Sequence, residues 1–215
     1  MLDLYFIRHA ECERNNEPHL IGGRCINSPL SSLGREQGRL LGRRLLQQGV
    51  LFDKVYSSTA LRCKETALDV GEHLGYSFAD IISLDQLLEL DQGQWEGQPR
   101  VQVYTPEMLA VINADNWEFT PPGGESQRTV EERMLQFVTN ELLPLDQKDK
   151  TITCAIFTHG VAMKCLLRGI MEFTPKITYR VWVDNTGIIR LHYRDDKWYI
   201  MSVNNTAHLF GAHTK

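Results

Sequence analysis

Four side chains in this sequence have the chemistry to hold and attack a phosphoryl group. Arg8 and His9 stand together where the apolar run LDLYFI ends, Arg62 lies in YSSTALRCKET, and His159 lies in FTHG. A guanidinium offers paired N–H donors that match phosphate oxygens. A neutral imidazole carries a lone pair that attacks without first losing a proton. Each residue alone has a plainer use, as a surface ion pair, a packed histidine, a helix cap or a solvated helix residue. The case for chemistry rests on their joint placement. No HxH, HExxH or carboxylate cluster at ligand spacing accompanies them, and two arginines repel a cation, so neither a metal nor another cofactor is expected.

The elements that must position them follow from hydrophobic patterning. Short apolar runs near residues 2–7, 52–56 and 152–157 read as buried strands. Helix-like spacing follows each: Leu33, Leu40, Leu41 and Leu45 before Gly49; Ala60, Cys63, Ala67, Val70 and Leu74 before Gly75; and a stretch from Gly160 toward Met171. This alternation predicts an α/β fold, a three-layer sandwich with a mostly parallel central sheet and helices on both faces. Ligands of such sheets bind beyond the carboxyl ends of the strands, where Arg8, His9 and His159 fall. Ser58 is expected to cap the second helix, with Arg62 a turn further in. The helix after His159 is expected to add backbone N–H donors to the anion site. Residues 86–145 break the alternation and read as a helical cap inserted into a single domain spanning 1–215. TGIIRLHY and KWYIMSV, separated by RDD, read as a hairpin at the sheet edge.

Composition narrows the partners. A net charge of -4 and a pI near 6.0 give no electrostatic case for nucleic acid or an anionic membrane. No apolar run is long enough to span a bilayer, and the N-terminus lacks a signal pattern. Five cysteines, Cys12, Cys25, Cys63, Cys154 and Cys165, form no CxxC pair, which suits a reducing compartment; a cytoplasmic location is expected. The expected partner is a small phosphorylated substrate, and the sequence does not specify an oligomeric state.

The order of motifs resembles the histidine phosphatase superfamily, the phosphoglycerate mutase-like proteins. FIRHAECERN is similar to that family's strand followed by Arg-His-Gly-Glu, SPLSSLGREQGRLLG to its Pro-Leu-Thr helix signature, and VYSSTALRCKETA to its Ser–Arg–Thr helix. LLELDQGQWEG, PGGES, FTHG and DNTGIIRL follow in family order. The resemblance implies that His9 is a nucleophile that becomes phosphohistidine, and that Arg8, Arg62 and His159 bind the phosphate. It implies Asn15 as a polar pocket residue and Glu89 as the proton donor, with Asp85, Asp91 and Glu96 as nearby competitors. Ala10, Cys12 and Val161 depart from the family's usual glycine, serine or threonine, and glycine. Cys12 is expected to be a small packed residue rather than a thiol nucleophile.

The resemblance further implies a phosphomonoester phosphatase acting through phosphohistidine. A phosphoglycerate mutase and a non-catalytic phospholigand-binding protein are the alternatives. Mutases of the family are usually longer and carry a basic insert, whereas residues 86–126 here hold Arg100 and no lysine. Arg24, Trp95, Arg100 and Tyr104 are candidates for specificity. Trp95 and Trp117 are expected mainly to pack the cap.

Overall fold

A computed structural model describes residues 1–210. Its elements run β1 (Leu2–Arg8), α1 (Ser32–Gln47), β2 (Lys54–Ser58), α2 (Leu61–Leu74), β3 (Ile81–Leu84), α3 (Arg100–Val103), α4 (Pro106–Ala114), α5 (Gln127–Phe137), β4 (Ile152–Thr158), α6 (Gly160–Ile170), β5 (Ile188–Arg194) and β6 (Lys197–Asn205). The strands form one sheet in the order β3-β2-β4-β1-β5-β6. β3, β2, β4 and β1 are parallel, and β5 and β6 are added antiparallel.

The central strands are mostly apolar on both sides because helices cover both faces. Along β1, Leu2, Leu4 and Phe6 join one core with Met134, Phe137, Met163 and Leu166 of α5 and α6. Tyr5 and Ile7 point the other way, to Leu41, Leu45, Cys63 and Val70 of α1 and α2. These are the three expected layers. The expected hairpin is present, its turn made by Asp195 and Asp196, both with positive φ (51° and 57°) as the twist of a two-residue hairpin demands. The sequence reading missed β3, a four-residue edge strand with no fully buried residue.

The stretch expected as one cap, 86–145, divides in two. Its first part crosses the strand ends as tight turns plus α3 and α4, and α4 has no buried residue. Its last part, α5 and the wider turn over Val138–Leu142, belongs to the core layer: Val130 and Met134 are fully buried against the sheet. An apolar helical stripe demands burial without specifying what buries it, so periodicity alone assigned α5 to the wrong side of the boundary. Among the described residues no helix is long and apolar enough to cross a membrane.

Candidate active site

β1 and β4 are paired in register, Arg8 opposite Thr158. The next residue of each chain segment is a histidine, and the rings of His9 and His159 meet edge to face with centroids 5.2 Å apart. The neighbouring turns then close round this point. His9 N donates to Thr158 O (2.9 Å), and Asn185 Nδ2 donates to His9 O (3.0 Å). A cleft of about 830 Å3 opens above, with Arg8, His9, Asn15, Arg62 and Glu89 in its wall.

The backbone fixes the tautomer of His9. Nδ1 lies 2.7 Å from Ala10 O, and a carbonyl only accepts, so Nδ1 carries the hydrogen and Nε2 keeps the lone pair. Burial, then the charges of Arg62 and Arg8, hold the ring's pKa well below its ordinary value, so it is neutral. Ala10 is itself anchored by its N–H to Thr66 Oγ1 (2.9 Å), one turn along α2 from Arg62. The Cβ that distinguishes Ala10 from the family's usual glycine sits in a small cluster with Cys12 and Leu30, where Cys12 is the packed residue expected of it.

The two guanidiniums are held differently. Arg8 Nη1 donates to Val183 O (2.8 Å), while its Nε is buried without a protein partner, a donor left for an anion. Arg62 Nη1 donates to Arg24 O and Cys25 O (both 2.9 Å), and its Nη2 to Gly23 O (3.2 Å) and His159 Nδ1 (3.0 Å). Main-chain oxygens thus fix the plane of Arg62. Since Nδ1 of His159 accepts from Arg62, its Nε2–H donates to Ser58 Oγ (2.9 Å). Burial and Arg62 keep this ring neutral too.

Two expectations change here. His159, expected as a phosphate ligand, is fully buried and is not in the cleft lining; its Nδ1 is engaged by Arg62 and its Nε2 by Ser58. Ser58 holds His159, and the cap position of α2 is Ala60, which has no side chain for the task.

Glu89 reaches the cleft from the cap segment. Its Oε2 accepts from Val161 N (3.1 Å) and its Oε1 from Ala162 N (3.1 Å) and Leu90 N (2.9 Å). In the first turn of α6, expected to add backbone N–H donors to the anion site, the amides of Val161 and Ala162 hold the Glu89 carboxylate. The competing acids are used elsewhere. Asp85 accepts from Thr59 (2.6 Å), Asp91 pairs with Arg24 (3.3 Å), and Glu96 accepts from the amides of Arg24 (2.6 Å) and Cys25 (3.2 Å), pinning the loop whose carbonyls grip Arg62.

The remaining candidates separate. Asn15 lines the cleft and its Oδ1 accepts from Cys12 N (3.0 Å). Arg100 and Tyr104 also line it. Arg24 does not: its guanidinium is ion-paired to Asp91 and to Glu125 (2.7 Å). Trp95 stacks on Phe119 (5.5 Å) and meets Tyr104 edge-on, so it packs the cap as expected and faces an adjoining cavity. Asn185, Thr66 and Ser58 act on this site and were not among the candidates. The signal for Thr66 is its place in the Ser–Arg–Thr pattern of VYSSTALRCKETA, four positions after Arg62 on the same helix face.

The sequence model of the histidine phosphatase superfamily (branch 1) matches residues 4–206. The chain belongs to this superfamily. A 2,3-bisphosphoglycerate-dependent phosphoglycerate mutase of Parvibaculum lavamentivorans is 30% identical over 196 residues, covering 90% of this chain and 91% of that one. Among solved structures, a phosphoserine phosphatase mutant (H9A) of Entamoeba histolytica in complex with phosphoserine superposes with a TM-score of 0.79 at 23% identity, covering 97% and 100% of the two chains. A mycobacterial glucosyl-3-phosphoglycerate phosphatase complexed with VO3 superposes with a TM-score of 0.75 at 21% identity, covering 94% and 98%. The superfamily thus includes proteins named for transfer and proteins named for hydrolysis, on one fold.

Proposed function

We propose that this histidine phosphatase is a metal-independent phosphomonoesterase working through phosphohistidine at His9. The observation that carries the proposal is the fixed tautomer: Nδ1–H on Ala10 O leaves the Nε2 lone pair in a cleft shared with Arg8, Arg62 and Glu89. Nε2 attacks phosphorus, the N–P bond forms and the P–O ester bond breaks. Arg8, through its unpartnered Nε, and the fixed positive charge of Arg62 stabilise the equatorial oxygens as charge redistributes. The ring becomes an imidazolium whose Nδ1–H bond to Ala10 O strengthens. The leaving oxygen takes a proton from Glu89 and departs as the alcohol. Water then attacks phosphorus and gives its proton to Glu89, and the N–P bond breaks to release phosphate and neutral His9.

Three backbone N–H groups fix the position of the Glu89 carboxyl at the cleft. The proton it passes on is supplied by the substrate monoanion, whose second ionisation lies near pH 6. His159 positions Arg62 without touching phosphate. The substrate class is a small phosphomonoester, and the free thiols at all five cysteines suit a reducing, cytoplasmic setting.

The mutase reading draws on the Parvibaculum relative. Against it, the cap wall of the cleft contributes a single basic side chain, Arg100, while Arg24 is already paired. Arg14 also lines the cleft but is paired to Glu17 (2.6 Å). Incubation with 3-phosphoglycerate and with a panel of phosphomonoesters separates the readings. Inorganic phosphate is the expected product, with vanadate as inhibitor. Conversion of 3- to 2-phosphoglycerate without net phosphate release would establish the mutase instead.

A further inference from the structure

Beside the cleft, beneath the cap, lies a second space of about 460 Å3. The two share Leu90, Gln92, Arg100 and Tyr104 as walls. Its lining is mainly ring and hydrocarbon: Trp95, Tyr104, Phe119 and Tyr179, with Leu109 and Ile112 of α4. One polar feature stands apart. Gln127 is 3% exposed and its Nε2 donates to Asn116 Oδ1 (2.5 Å), but its Oε1 is buried with no partner. A buried acceptor left unpaired costs about 1–3 kcal/mol unless a ligand supplies the donor.

We propose that this cavity receives the alcohol portion of the substrate, and that this portion carries a flat aromatic or heteroaromatic ring with an N–H or O–H at its edge. The assignment rests on the phosphomonoesterase reading and narrows its substrate class. Four rings and two aliphatic side chains offer stacking and burial to a planar group. A compact carboxylate-bearing alcohol finds one cation there, Arg100, and leaves the ring-lined volume unfilled. Glu125, the acid in this wall, is neutralised by Arg24 (2.7 Å) and Arg133 (3.1 Å), and Arg100 Nε is occupied by Leu20 O (3.1 Å). The shared walls let a tether of a few bonds connect a ring in the cavity to phosphorus at His9. Gln127 Oε1 then accepts from the ring edge.

Phosphonates test the cavity without turnover, because a P–C bond does not hydrolyse. Isothermal titration compares 3-(indol-3-yl)propylphosphonate, 3-(naphth-1-yl)propylphosphonate and butylphosphonate, which share one head group. Both ring probes are expected to bind about tenfold to hundredfold tighter than the butyl probe. The indole, with its N–H, should exceed the naphthyl by about two- to tenfold, an advantage erased in Gln127→Leu. Ile112→Trp and Leu109→Trp, on a helix with no buried residue, fill the space and should abolish the ring preference. Equal binding of ring and butyl probes, a ring preference that survives both tryptophan variants, or an indole advantage unaffected by Gln127→Leu would overturn the proposal. Phosphate release from the matching phosphate esters is scored separately. Release without ring-selective binding removes the cavity assignment alone, whereas ring-selective binding without release removes the hydrolytic reading and leaves the site.

Discussion

At the scale of single residues, the proposed reaction divides its proton chemistry between two groups. Glu89 matters most when the leaving group is a basic alkoxide. Proton donation is worth roughly 10²–10⁴-fold, so Glu89→Gln should slow alkyl phosphate hydrolysis by about that factor and nitrophenyl phosphate attack far less. Pre-steady-state rates for both substrates check this; an equal defect, or a selective one in Asp91→Asn, would move the role elsewhere. His9 sets the acid limb. Its depressed pKa keeps Nε2 unprotonated below pH 6.5, while the substrate monoanion gains ground below pH 6. The expected kcat/KM for an alkyl phosphate therefore shows no fall centred near the ordinary imidazole pKa of 6.5. A fall centred near pH 6.5 would mean an unperturbed imidazole. Arg8, His9, Arg62 and Glu89 are legible in the sequence because each is a reactive side chain at a strand end or in an ordered motif. Ser58 and the carbonyls of Gly23, Arg24 and Cys25 are not, because a serine has many uses and a carbonyl leaves no trace in residue type.

At the scale of elements, the site depends on how closely α1 approaches the loop after β1. A Cβ built on Gly34 would lie 1.9 Å from Glu11 O, a backbone atom two residues beyond His9. Gly34→Ala must push that loop or α1 aside, and overpacking of this kind costs about 1–3 kcal/mol. At roughly 2–4 °C per kcal/mol for a chain of this size, thermal melting should drop by several degrees. Activity should fall with it, since Glu11 N is also tied to Gln37 (2.8 Å) on the same helix. An unchanged Tm and rate would show that the loop yields freely. The strands β1 and β4 announce themselves as unbroken apolar runs, and α1, α2 and α6 by their stripes. The edge strand β3, half exposed and four residues long, has neither signature. The stripe of α5 is plain, but its burial under the sheet rather than in the cap is a tertiary fact.

At the scale of the whole molecule, three histidines among the described residues are buried neutral: His9, His159 and His208. His208 links the last described turn to the site, its Nε2 2.7 Å from Thr186 Oγ1 while Thr186 N donates to Arg8 O (3.1 Å). Burial lowers its pKa from 6.5 to about 4. The unfolded chain binds the proton first, so this stability is full above pH 6.5 and is lost as pH falls through about 4. Its share is about 3 kcal/mol. Urea midpoints between pH 7 and pH 4 should fall steeply, and His208→Gln should flatten part of that slope; a slope identical in the variant would place the loss on other groups. The order of motifs along the chain made the superfamily readable before any fold was drawn, whereas the shape of the cap depends on packing that no motif encodes. The central claim is that His9 Nε2 is the nucleophile. Rapid acid-free quenching of a reaction with labelled phosphomonoester, followed by peptide mapping, tests it most directly. The account predicts phosphate on the peptide containing His9, stable in base and lost in acid, and absent in His9→Ala; label that persists in His9→Ala, or that survives acid as a phosphoester, would contradict it.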